Sequence, residues 1–355
     1  MDAVTLEVTR IVAGGDGMAR DADGRVTFVE GALPGETVRA DLREQRRDFA
    51  KATTTEVLVP SSHRSTPPCP FVAAGCGGCD WQHITPASQR SLKAEIVADA
   101  LRRQARIEVP VELGPELPAT GYRTTIRGVV TDGRFGLRHR RSHDAVPVGP
   151  CLVAHPLLDE LITGGRFPDG EVILRAGAAT GERLAIVAGG PDGAEALVAA
   201  VTAAVDGALQ PGSHLVDLYG GVGLFAGGVL AGAGGAVPAG RVTLVESGAS
   251  SVADARVNLA DLDARILKGD VATWRPARAD AVIADPPRSG LTKTGVTAVA
   301  GTHAPRVVLV SCDPAALGRD TALLAAAGYE LRSATLVDLF PHTSHVEVVS
   351  RFERT

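Results

Sequence analysis

No apolar run in this 355-residue chain approaches the length of a membrane span, and the opening M-D-A-V-T-L-E has neither a basic head nor an apolar signal core. The expected setting is the cytoplasm. Cysteine is scarce at five residues, and in a chain without an export signal that argues against a disulfide framework and for metal ligation or catalysis. An excess of positive charge is missing too: the formal net charge is −5, which taken alone argues against a nucleic-acid partner. The two parts of the chain differ, however. Residues 1–150 carry 20 Lys+Arg against 19 Asp+Glu, and the remainder 16 against 22. The basic residues of the first part also cluster, as Arg43, Arg46, Arg47 and Lys51, then Arg102, Arg103 and Arg106, then Arg134, Arg138, Arg140 and Arg141. Local patches of this kind matter more for phosphate contact than the total does, although each is also compatible with plain solvated surface.

The chemistry is concentrated between Val282 and Asp313. V-I-A-D-P-P-R-S-G-L is an apolar strand ending at Asp285 in a proline-rich turn, and V-V-L-V-S-C-D-P is a second ending at Ser311-Cys312-Asp313. Polar residues at the carboxyl ends of buried strands are where open α/β sheets place their ligands. Cys312 stands far from every other cysteine and reads as a nucleophile.

Upstream, residues 1–58 alternate at period two between turn signals (Gly14-Gly15-Asp16-Gly17, Asp21-Ala22-Asp23-Gly24), the pattern of a small OB-like barrel of a kind that can hold single-stranded nucleic acid. After a Pro/Ser linker comes C-P-F-V-A-A-G-C-G-G-C-D-W-Q-H, with Cys69, Cys76 and Cys79 spaced C-x6-C-x2-C. With Cys151 these supply four thiolates for zinc or an iron–sulfur cluster, and spacing does not separate the two. Pro86 to Arg106 reads as an amphipathic helix with a basic last turn. Residues 119–150 return to strand patterning, Leu157 to Ile162 is helical, V-I-L-R-A and R-L-A-I-V-A-G are strands, and a helix runs from Ala194 to Val205.

In L-V-D-L-Y-G-G-V-G-L-F a strand ends at Asp217, a glycine turn follows through Tyr219, Gly220, Gly221 and Gly223, and a helix begins near Leu224. Glu246 ends the next strand, where it suits ribose hydroxyls, and Asp270 follows a third, placed to accept from an adenine amino group. An acidic residue before the turn disfavours a pyrophosphate there and suits the cationic amino-acid portion of S-adenosylmethionine. The last segment, L-V-D-L-F-P-H-T-S-H-V-E-V-V-S-R-F, reads as strand-rich. Glu347 among valines is then either a desolvated general base or a carboxylate paired to His345 or an arginine.

Jointly these motifs resemble the RNA (uracil-5-)methyltransferases, most of all those with an N-terminal TRAM barrel and a four-cysteine [4Fe–4S] cluster. The resemblance rests on the barrel, C-x6-C-G-G-C-D-W-Q-H with Cys151, D-L-Y-G-G-V-G-L-F, D-P-P-R-S-G-L, V-S-C-D-P and F-P-H-T-S-H-V-E, and covers nearly the whole chain. It implies three parts: a barrel at 1–58, a central cysteine-cluster domain at 59–190 and a class I (Rossmann-like) α/β methyltransferase domain at 191–355. It further implies Cys312 as nucleophile and Glu347 as base for the C5 proton. Asp217, Gly220, Glu246 and Asp285 would surround the methyl donor and the target base, and the chain would act as a monomer. Ribosomal RNA is favoured over tRNA because the tRNA enzymes often lack barrel and cluster. A cytosine-5 enzyme is disfavoured, since Arg288 stands where such enzymes carry a cysteine. One departure is that A-I-V-A-G-G runs directly into P-D-G-A-E-A-L-V, without the aromatic-Gln motif whose glutamine contacts the donor. That leaves, beside the active enzyme, a weakened RNA-binding relative that keeps barrel and cluster.

Overall fold

The structure, a computed structural model, describes residues 3–142, 144–167, 169–176, 191–230 and 240–355. The chain divides into two compact units, one of Met1–Ile96, Leu117–Pro191 and Phe340–Ser344, the other of Val97–Glu116, Asp192–Leu339 and His345–Thr355.

In the first unit β1 (Ala3–Ile11), β2 (Gly17–Arg20), β3 (Val26–Glu30), β4 (Thr37–Gln45) and β5 (Phe49–Val59) close into a barrel in the order β1-β2-β3-β5-β4. Alternate residues point inward, and several are small: Ala19, Ala32, Ala40 and Ala52 share the core with Leu6, Val8, Val29 and Val38. Small side chains are what a barrel of this size can hold. The cysteine segment follows with α1 (Pro70–Ala73) and α2 (Pro86–Ala100). Trp81, Ile84, Leu92 and Ile96 pack against Ile11 and Leu33.

The predicted helix over 86–106 is broken at its end. A five-residue π-turn, Leu101–Ala105, continues α2, and Arg106 at φ 58° terminates it. The strand β6 (Val111–Leu113) comes next, and then a four-stranded antiparallel sheet in the order β10-β7-β8-β9, formed by β7 (Thr125–Thr131), β8 (Arg134–Arg138), β9 (Ala145–Pro147) and β10 (Gly170–Arg175). The helix α3 (Pro156–Gly164) packs on this sheet through Leu158 and Ile162. Gly128 is required there, because a Cβ would stand 2.3 Å from the Phe135 ring. The predicted strand R-L-A-I-V-A-G and the junction A-I-V-A-G-G-P lie largely outside the described residues.

The second unit begins its main fold with α4 (Pro191–Val205). Its sheet contains β11 (His214–Leu218), β12 (Arg241–Glu246), β13 (Asp263–Lys268), β14 (Ala281–Ala284), β15 (Arg306–Ser311), β16 (Tyr329–Leu336) and β17 (Val348–Arg354). The order is β13-β12-β11-β14-β15-β17-β16-β6, parallel from β13 to β15, with β17 antiparallel to both its neighbours. Crossovers run through α5 (Leu224–Leu230), α6 (Ala249–Asn258), α7 (Thr292–Gly301) and α8 (Pro314–Ala326). The central strands β11 and β14 are buried at every position, as expected of strands covered by helices on both faces. Gly318 lets α8 approach the π-turn, since a Cβ there would meet the Ala100 carbonyl oxygen at 2.7 Å.

The last segment departs from its strand-rich reading. Between β16 and β17 lies a connection, residues 337–347, without strand structure, and Glu347 is its final residue rather than a strand position.

Candidate active site

Three strand ends converge in the second unit. Asp285 follows β14, Cys312 follows β15, and Glu347 precedes β17. The β15–β17 ladder runs antiparallel from Arg306↔Glu353 to Ser311↔Val348. One step beyond, the facing positions are Cys312 and Glu347. The two side chains do sense each other: burial pushes the Cys312 thiol up, the Glu347 charge adds to that rise, and Arg288 opposes it.

Glu347 is 9% exposed, and burial, with a smaller push from Asp285, raises its carboxyl to about 8. Its backbone carbonyl accepts from Val337 N at 2.9 Å, which ties it to the end of β16. Burial and Asp285 are the influences that act on its carboxyl. Desolvation also raises the Asp285 carboxyl, to about 6.

The glycine turn after β11 packs closely against its neighbours. Tyr219 holds φ 59°, unusual for a bulky side chain, and Gly223 holds φ 88°. A Cβ on Gly220 would stand 2.6 Å from Leu244, and one on Gly223 2.9 Å from Leu259. Asp217 is fully buried beneath the turn. One carboxylate oxygen accepts from Ala226 N at 3.2 Å, and Oδ1 has no hydrogen-bond partner. Burial raises this carboxyl to about 7. Glu246 accepts from Gly221 N at 3.2 Å and from Gly248 N, which orients its carboxylate and leaves lone pairs for hydroxyl donors. Asp270 is exposed beyond β13, and its Oδ1 accepts from Ala272 N at 2.8 Å.

A raised Asp217 ties cation binding to pH. A cation held by Asp217 would prefer the ionised carboxylate, so its affinity is expected to rise by up to about tenfold between pH 6 and 8. Asp217→Asn should abolish that rise as well as weaken binding, which calorimetry across pH would show.

Asp320, which the sequence did not single out, anchors the D-P-P-R-S-G-L turn. From within α8 its carboxylate accepts from Leu291 N at 2.6 Å and from Thr292 N at 3.1 Å. It crowds Gly290, where φ is 80° and a Cβ would lie 2.2 Å from Asp320 Oδ2. The only signal was the one carboxylate in a largely apolar helix, P-A-A-L-G-R-D-T-A-L-L.

In the first unit Cys69, Cys76, Cys79 and Cys151 line one pocket, closed by Arg123, Ile126 and Leu137. Burial raises the thiols of Cys76, Cys79 and Cys151. Among the described residues no group of three or more His, Cys, Asp or Glu is set to hold a single metal ion. The basic clusters are largely ion-paired: Arg46 and Lys51 with Glu44, Arg102 and Arg103 with Asp99, Arg138 with Glu171, Arg140 and Arg141 with Glu30. Exposed pairs of this sort stabilise little and can be exchanged for phosphate.

The sheet order, the glycine turn and the acids after successive strands define a class I, S-adenosylmethionine-dependent methyltransferase fold, here joined to a small barrel. The chain belongs to the RNA (uracil-5-)methyltransferase family. The family model tRNA (Uracil-5-)-methyltransferase matches residues 273–354, and the TRAM domain model matches residues 3–55. An RNA methyltransferase of Streptomyces coelicolor is 36% identical over 425 aligned positions, covering 98% of this chain and 92% of that protein. The 23S rRNA (uracil(1939)-C(5))-methyltransferase of Halomonas elongata is 33% identical, covering 96% and 88%. In structure, the chain is similar to the tRNA (uracil-54, C5)-methyltransferase of Pyrococcus abyssi in complex with S-adenosyl-L-homocysteine. That TM-score is 0.72 at 20% identity, covering 98% of this chain and 100% of the other.

Proposed function

We propose that this chain methylates C5 of uracil in RNA, with ribosomal RNA as the favoured substrate, through a covalent bond between Cys312 and C6 of the ring. The observation that carries this reading is the facing of Cys312 and Glu347 across the end of the β15–β17 ladder. C5 of uracil is a poor nucleophile until something adds at C6. The Cys312 thiolate adds there, placing negative charge on the ring as an enolate, and C5 then attacks the methyl carbon, whose bond to the donor sulfonium sulfur breaks to leave a neutral thioether. Glu347 removes the C5 proton, the ring double bond re-forms, and the C6–S bond breaks to return the thiolate. S-adenosylmethionine supplies an electrophilic methyl group when bound. Asp217, Tyr219, Gly220, Gly223, Glu246 and Asp270 would hold it, and the unpartnered, buried Asp217 oxygen fits a cationic ligand. Asp285 stands between donor and base. Its charge favours the neutral thiol, and Arg288 opposes it.

The target base has to leave its stack to reach these strand ends, which suits the barrel and the exchangeable arginines to holding RNA. Ribosomal RNA is supported by likeness to the Halomonas protein. The experiment is transfer of labelled methyl from S-adenosylmethionine to 23S rRNA and to tRNA, with the product mapped as 5-methyluridine. A second reading, a weakened RNA-binding relative, is favoured by length: the alignment to the Streptomyces protein spans 425 positions against 355 residues here. RNA binding without methyl transfer would support it.

Cys69, Cys76, Cys79 and Cys151 would hold a [4Fe–4S] cluster. What supports the cluster is that the four thiols line one shared pocket, the donor set such a cluster takes. Anaerobically purified protein is expected to be brown with about four irons per chain, and Cys79→Ser to lose the visible absorbance. A colourless protein containing zinc would overturn the cluster.

A further inference from the structure

Asp320 is a buried carboxylate that the reaction itself does not use, and it grips the turn that follows β14. That turn is pinned at both ends. At its start Asp285 N donates to the Leu218 carbonyl at 3.2 Å. Gly290 N then donates to the Pro287 carbonyl at 2.7 Å, which places Arg288 and Ser289 at the centre of a tight turn. At the far end both oxygens of Asp320 are engaged, Oδ2 by Leu291 N at 2.6 Å and Oδ1 by Thr292 N at 3.1 Å. These amides begin α7, whose N-cap residue Leu291 makes no side-chain cap of its own. Asp320, 2% exposed, supplies the missing carboxylate from a neighbouring helix.

The backbone held in this way is one the chain would not choose by itself. Gly290 sits at φ 80° and Thr292 at φ 59°, and a β-branched residue persists in the left-handed region only if its surroundings over-determine it. The turn also lies against the beginning of α8: a Cβ on Gly290 would stand 3.1 Å from the Ala316 Cβ and 2.2 Å from Asp320 Oδ2. Cys312 immediately precedes Asp313, the N-cap of that same helix. So α8 carries the nucleophile at its start and, roughly two turns on, the group that fixes the turn bearing Arg288. Arg288 itself is exposed, and on an unrestrained loop so long a side chain would leave its charge in water. Burial pushes the Cys312 thiol up, Glu347 and Asp285 push the same way, and Arg288 pulls it down.

Resting on the reading of Cys312 as nucleophile, we infer that Asp320 is a positioning residue for Arg288. By fixing Leu291 and Thr292 on α8, it keeps the guanidinium within electrostatic reach of the sulfur that the same helix presents. Its own carboxylate is committed to backbone amides and touches no reacting atom. Loss of that anchor frees the turn, lets Arg288 swing into solvent and leaves the sulfur harder to ionise. The glycine turn after β11 keeps its own contacts throughout.

The test reads the sulfur directly rather than through turnover. Full-length protein is alkylated with iodoacetamide from about pH 7 to 10, and the peptide bearing Cys312 is quantified by mass spectrometry. Wild type, Asp320→Asn, Arg288→Ala and the double variant are compared, with melting temperature and donor affinity reporting whether each is intact. Asparagine keeps the shape of the side chain but has a single acceptor oxygen and cannot serve both amides. Arg288→Ala is expected to move the reactivity profile up by about half to one pH unit, slowing alkylation near pH 8 about three- to tenfold. Asp320→Asn should do most of the same. In the double variant the second change adds less than about twofold, because both act through one guanidinium. Should Asp320→Asn fail to fold, Gly290→Ala displaces the same contact from the turn side, and its profile is expected to move likewise. An intact Asp320→Asn or Gly290→Ala with the wild-type profile overturns the proposal, as does an unmoved profile in Arg288→Ala or full additivity in the double variant. Failure of the nucleophile reading shows separately: Cys312→Ala would then still trap RNA containing 5-fluorouracil, whatever the alkylation profiles do.

Discussion

Cys312→Ala is expected to reduce methyl transfer by at least about 10⁴-fold and to form no adduct with RNA in which 5-fluorouracil replaces uracil. The wild type should form a stable adduct with the same RNA, because fluorine at C5 cannot be removed as a proton and the C6–S bond stays made. The size of the effect follows from the absence of an alternative route. Without addition at C6 the ring has no nucleophilic C5, so positioning the donor nearby achieves little. The surroundings of Cys312 sharpen the expectation. Its thiol is pushed up by burial and by Glu347, with Arg288 opposing. It also precedes Asp313, the N-cap of α8, whose side chain accepts from Ala316 N at 2.6 Å. A helix N-terminus and a guanidinium favour thiolate, while the two carboxylates disfavour it. Arg288→Ala should then slow adduct formation without touching release. An adduct on Cys312→Ala protein would show that the sulfur bonded to the ring is not this one.

Much of this site could be read along the chain because its parts are strand ends. Asp217, Glu246, Asp285 and Cys312 each close an apolar run, and a buried parallel sheet puts such ends along one edge whatever the order of its strands. The glycine turn and the barrel were legible for the same reason, as local periodicity and turn chemistry. What stayed hidden depends on pairing between distant segments. That Glu347 faces Cys312 follows from the antiparallel register of β15 and β17, which no local pattern encodes. That F-P-H-T-S is a gripped loop rather than a strand follows from Asp80, Gln89 and Lys93, some 250 residues away in sequence. Its apolar flanks, L-V-D-L-F and H-V-E-V-V, invited the strand reading. Asp320 escaped notice because a single carboxylate in an apolar helix identifies no partner. The four cysteines were visible as a set by spacing, and the fold adds that they share a pocket.

Glu347→Gln should separate two rates that the wild type runs together. Bond formation and methyl transfer proceed, while release slows by about 10²–10⁴-fold, the usual cost of removing a general base. The methylated adduct then accumulates and can be isolated under denaturing conditions. The pH dependence follows from the carboxyl being raised to about 8 by burial, then by Asp285. The base acts only when ionised, so release in the wild type should climb about tenfold per pH unit below 8 and level off above it, and the variant should lose that slope. Stability runs the other way. The folded-state pKa lies above the unfolded value of 4.5, so between pH 4.5 and 8 the folded protein holds a proton that the unfolded chain has released. The protonated carboxyl is compatible with its buried place, and that compatibility is lost as pH rises through the window, a cost of a few kcal/mol at most. Glutamine stays neutral throughout. The variant should therefore melt a few degrees above wild type at pH 8 and no higher at pH 4.5. A variant that melted lower at pH 8 would mean that the glutamate is paired in the fold rather than kept bare for the C5 proton. Release that kept its pH slope without this carboxylate would move the base elsewhere, with Asp285, the other carboxylate acting on Cys312, as the next residue to substitute.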